Sequence, residues 1–70
     1  MPWNKDVYSA NVTNVAYDDA AQEMVVTFKS GRSYAYVGVP EDVALQLSLA
    51  PSVGTMLNEQ IKGIYPFKRL

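Results

Sequence analysis

The sequence predicts a small α+β domain, a three-stranded antiparallel β-meander followed by two α-helices packed on one sheet face. Three observations carry this expectation. Three runs between residues 11 and 39 alternate apolar and polar residues and are rich in β-branched and aromatic side chains. Short breaks separate those runs, one of them polar and one containing Gly31. From Val43 onward apolar residues recur at helical spacing, with Pro51 between two such stretches. The 70 residues suit one domain over 1–70, with a core at about 7–65 and a short basic tail at 66–70.

The first run, residues 11–17, alternates weakly. Val12, Asn14 and Ala16 fall on one side, and Thr13, Val15 and Tyr17 on the other. Residues 18–22 form a polar break that suits a turn. In residues 23–29 Met24, Val26 and Phe28 are in phase, and in residues 33–39 Tyr34 and Tyr36 share a face. A three-residue loop Lys29-Ser30-Gly31, with Gly31 left-handed, sets Phe28 opposite Arg32, Val26 opposite Tyr34 and Met24 opposite Tyr36. A two-residue loop would slip the register by one and scatter these large residues over both faces.

Pro40 suits the first position of a helix, and Glu41 and Asp42 suit its positive end. Val43, Leu47 and Ala50 form its apolar stripe before Pro51 stops it. Ser52 caps a second helix whose Val53, Met56, Leu57, Gln60, Ile61 and Ile64 lie mostly on one side, and Gly63 marks its end. The remaining residues read as an extended tail anchored by Tyr65 and Phe67. Leu45 and Leu49 sit roughly opposite the Val43 and Leu47 stripe. Either the tail covers them, or they form an interface with a protein partner or a second copy of the chain.

Cysteine and histidine are both absent, which removes disulfides, thiolate and imidazole catalysis, and zinc sites built on those residues. Asp18 and Asp19 are adjacent carboxylates in a polar break, and neighbours in a turn do not flank one substrate atom. The scattered acids Glu23, Glu41 and Asp42 have no metal-ligand spacing. No enzyme, cofactor or metal is expected. No apolar run approaches a membrane span of about 18 residues, and the start of the chain has no charged-then-apolar leader, so a cytoplasmic address is expected.

The net charge of −1 argues against a dedicated nucleic-acid binder, but its distribution is uneven. Residues 1–59 hold three bases and all seven acids, whereas residues 60–70 hold Lys62, Lys68 and Arg69 and no acid. Lys29 and Arg32 flank the hairpin tip, where charges are ordinarily just solvated. Tyr34 and Tyr36 offer rings on which bases stack; the plainer expectation is that they pack with Met24, Val26 and Phe28 beneath the helices. Ser52, Gly54 and Thr55 open the second helix with free N–H groups suited to an anion, but they lack the glycine spacing and lysine of a phosphate loop, and a simple cap is the plainer expectation. Asn58 and Lys62 continue its polar face and, with Lys68 and Arg69, make a small cationic surface.

Val15 with Tyr17-Asp18, Phe28 with Ser30-Gly31, Tyr34-Ala35-Tyr36 and Val39-Pro40 follow one another in an order that resembles the KTSC domain. Ala50, Ser52, Gly54, Asn58, Ile61-Lys62 and Tyr65 continue the resemblance, which spans about residues 7–69. Met56-Leu57 departs from it, since an aromatic residue is common there. This family is named for the C-terminal extension of some lysyl-tRNA synthetases and also looks free-standing in bacteria and their phages. The resemblance implies the fold above and, through the synthetase context, RNA as a partner. The functional expectation is therefore a non-enzymatic binding module for RNA. The alternatives are a protein-interaction module, of the kind phages also encode, acting on a host or self partner through Leu45 and Leu49, and a binder of a small phosphorylated ligand at residues 52–55.

Overall fold

The computed structural model describes every residue except Met1, Tyr8 and Ala10. Strands β1 (Trp3–Asp6), β2 (Val12–Asp18), β3 (Glu23–Phe28) and β4 (Ser33–Val37) are followed by helices α1 (Glu41–Ser48) and α2 (Val53–Gln60) and by β5 (Phe67–Arg69). All five strands join one antiparallel sheet in the order β1-β2-β3-β4-β5. The fold is thus α+β with two helices, but the sheet has five strands where the sequence predicts three. The two extra strands are the edges. They are four and three residues long, and each pairs along its inner side with β2 or β4. The stretch read as a free tail is β5.

The β3–β4 register is the one that the bulk of the side chains favours. Val26 pairs with Tyr34 and Met24 with Tyr36, and the Phe28 N–H donates to the Arg32 carbonyl at 2.8 Å. Gly31 closes the turn at φ +90°, donating its N–H to the Phe28 carbonyl. Strand β2 departs from simple alternation. Val12 pairs with Phe28 and Asn14 with Thr27, so Thr13 is an extra, bulged residue. The bulge turns Val12 to the same side as Val15 and Tyr17, and all three are buried. The expected grouping of Val12 with Asn14 and Ala16 fails for this reason.

The core lies between one sheet face and the helices. Val12, Val15, Tyr17, Met24, Val26 and Tyr36 meet Val39, Ala44, Leu47, Val53, Leu57 and Ile61. The Tyr17 hydroxyl donates to the Val39 carbonyl at 2.6 Å, stitching β2 to the approach to α1. Pro40 is the residue before α1 rather than its first, with an extended ψ of 151°. Helix α1 is rotated by about one position from expectation: Ala44, Leu47 and Ser48 are buried, while Val43 and Ala50 are half-buried. Ser48 is accommodated because its hydroxyl donates to the Leu45 carbonyl. In α2 Val53, Leu57 and Ile61 carry the buried face, but Gln60 and Ile64 are exposed. Asp18 is structural: its carboxylate accepts from the turn N–H groups of Ala20 and Ala21. No helix among the described residues is long and apolar enough to cross a membrane.

Candidate nucleic-acid interface

Strand pairing places β5 against β4 with Phe67 opposite Tyr36 and Arg69 opposite Tyr34. Side chains alternate along a strand, so Phe67 and Arg69 lie on the helix-bearing side, with Phe28, Tyr34 and Tyr36. Four rings meet there. Phe28 and Tyr34 are edge to face with centroids 5.6 Å apart, and Tyr34 and Phe67 repeat that geometry at 5.6 Å. Phe67 also lies 5.8 Å from Tyr36. The series grades from core to surface: Tyr36 is 3% exposed, Phe28 and Tyr34 are half-buried, and Phe67 is 55% exposed. Burial, and then the neighbouring Tyr34, push the Tyr36 phenol above its ordinary range. Tyr36 therefore packs in the core as expected, whereas Tyr34 belongs partly to the surface.

The cations divide by the same alternation. At the end of α2 the Lys62 N–H donates to the Leu57 carbonyl, and its ammonium stands 5.8 Å from the centre of the Phe28 ring. Lys62 shares one concavity with Phe28, Tyr34, Lys29, Arg32 and Asn11, and a second with Tyr34, Tyr36, Phe67 and Arg69. Among the described residues, no carboxylate lines either of them. Lys68 is separated from this group. It pairs with Ala35 on the opposite sheet face and meets Glu23 there at 3.4 Å. The run Lys62, Lys68 and Arg69, read as one cluster, is two groups.

A third, polar concavity lies along α2, lined by Ser9, Asn11, Ser52, Gly54, Thr55, Asn58, Glu59 and Lys62. Ser52 precedes the helix but makes no side-chain cap; its hydroxyl donates to the Thr55 hydroxyl at 3.0 Å. A β-carbon at Gly54 would make only an ordinary 3.8 Å contact with Ser9 Oγ, so no close approach demands glycine there. Leu45 and Leu49 lie on the outer side of α1, 40% and 65% exposed, uncovered by a tail that forms β5 instead. Phe28, Phe67 and Asn11 are site residues that sequence reasoning passed over. Phe28 closes the hairpin at its tip opposite Arg32, and that position was the available signal.

The fold recurs in a crystal structure of a KTSC domain protein from Yersinia pestis, with a TM-score of 0.91 over 100% of this chain and 99% of that one at 24% identity. The lysine–tRNA ligase of Nostoc punctiforme is 36% identical over 59 residues, or 84% of this chain. The chain spans only about a tenth (10%) of that ligase's length. The KTSC domain pattern itself matches residues 8–65. With most of its length matched, the chain belongs to the KTSC domain family.

Proposed function

We propose that this KTSC domain is a non-enzymatic, cytoplasmic binding module that takes single-stranded RNA on the edge formed by Phe28, Tyr34, Phe67, Arg32, Lys62 and Arg69. The observation that carries the reading is Phe67, held in contact with two tyrosines yet more than half exposed at 55%. Such a ring leaves an apolar face in water, and a base stacked on it is stabilised by about 1–3 kcal/mol. The surrounding cations suit the phosphates, and the absence of a lining carboxylate among the described residues keeps the local potential favourable. A relative whose name carries tRNA supports RNA as the nucleic acid. A second reading, protein interaction through α1, is favoured by the exposure of Leu45 and Leu49.

Anisotropy titration of a labelled single-stranded RNA over a salt series tests the proposal. Three or four phosphate contacts give a slope of about −2 to −3 in log affinity against log salt. Replacing Arg32, Lys62 and Arg69 together by Gln should abolish most of the binding. No binding by the unmodified protein, even at low salt, would refute the RNA reading.

A further inference from the structure

Lys62 stands in the wall of three concavities that follow one another along the surface. The two aromatic ones share Tyr34 as well, and the inner of these shares Asn11 with the polar one. Shared walls order them on one line, from Phe67 past Phe28 to Asn58. The two ends differ in chemistry. The Phe67 end offers rings and Arg69, whereas the far end offers the neutral hydroxyl of Thr55, the amide of Asn58 and the carboxylate of Glu59. A phosphate beside Glu59 would be repelled. A ribose hydroxyl, both donor and acceptor, suits that set of groups.

We propose that this line is the path of an unpaired strand about three nucleotides long, and that its polar end distinguishes RNA from DNA. This rests on the RNA reading above and adds direction and sugar selectivity to it. Two bases lie against the rings at Phe67 and at Phe28 with Tyr34. Lys62 takes the phosphate that follows them, and Thr55 and Asn58 meet the next ribose through its 2′-hydroxyl. A duplex has no free base face for the rings, so it makes phosphate contacts alone.

Matched oligouridylates and oligodeoxyuridylates of two to six nucleotides test this by anisotropy, with NMR titration for the shortest. Affinity should rise to about three nucleotides and gain little beyond. The six-nucleotide RNA should bind about 2- to 10-fold tighter than its DNA counterpart, the worth of one hydrogen bond, and the dinucleotides should not differ. Asn58→Ala and Thr55→Ala, both at exposed positions, should erase that preference by lowering the RNA affinity to the level of the DNA. Equal affinity for the six-nucleotide RNA and DNA overturns the track, as does a preference that survives both variants or a dinucleotide bound as tightly as the longest oligomer. In each of those cases the RNA reading still stands. Failure of every oligomer to bind at low salt removes the RNA reading itself.

Discussion

Replacing Phe67 by Leu separates what the ring does for the fold from what it does for a ligand. Leucine keeps an apolar side chain over β4 but gives up the two ring contacts, to Tyr34 at 5.6 Å and to Tyr36 at 5.8 Å. Each such pair contributes about 0.5–1.5 kcal/mol beyond its buried area. Phe67 is 55% exposed, so little additional burial is at stake, and a total loss of about 1–3 kcal/mol follows from the two pairs. In a domain of this size that lowers Tm by roughly 4–24 °C and leaves the protein folded at room temperature. The loss of one stacked base weakens RNA binding by about 1–3 kcal/mol, or roughly 5- to 150-fold. Thermal unfolding followed by circular dichroism gives the first quantity, and anisotropy on the folded variant gives the second. A Phe67→Leu protein with lowered Tm and unchanged RNA affinity would show that the ring merely fastens β5, and the stacking argument would be refuted.

Tyr36→Ala is expected to act in the opposite proportion, costing about 3–5 kcal/mol because the ring is buried against Met24; near-native thermal stability would contradict its place in the core. The Tyr17 phenol is held above its ordinary 10.0, chiefly by burial and then by Glu41, so the folded chain keeps a proton that the unfolded chain releases above pH 10. Its contribution is complete below that pH and disappears as pH rises through the raised value, so denaturant midpoints should fall above pH 10 and fall less in Tyr17→Phe. Lys68→Gln removes a cation on the far face already paired with Glu23, and it should change RNA affinity far less than Arg69→Gln does; equal losses would contradict the division of the two cations. If α1 joins two copies, replacing Leu45 and Leu49 by Gln should leave the monomer folded and move the native mass from dimer to monomer. A wild-type protein monomeric at high concentration would exclude that contact.

The central hairpin was legible because two independent features agree on its register. Gly31 supplies the left-handed turn residue, and only a three-residue loop puts Met24, Val26, Tyr34 and Tyr36 on one face. That Leu45 and Leu49 lie off the core stripe was likewise readable from their angle on the first helix, although the tail that could have covered them forms β5 instead. The edge strands were not readable. Trp3–Asp6 and Phe67–Arg69 are too short to show a period and form because β2 and β4 present unpaired backbone groups to them. The bulge at Thr13 hid the inward phase of β2, since an extra residue breaks the alternation that local pattern depends on. The site suffered for the same cause. Until residues 67–69 are seen as a strand, nothing separates Lys68 from Arg69 or brings Phe67 to Tyr34.

The binding edge is tested most directly by NMR of the isotope-labelled protein titrated with a short single-stranded RNA. Shifts are expected at the ring protons of Phe28, Tyr34 and Phe67 and at the side chains of Lys62 and Arg69, growing together to saturation. The methyl groups of Ala16 and Val25 on the open sheet face, and those of Leu45 and Leu49 on α1, should stay in place. Saturable shifts confined to the open face or to α1, with the Phe28, Tyr34 and Phe67 rings unmoved, would contradict the assignment of this edge to RNA.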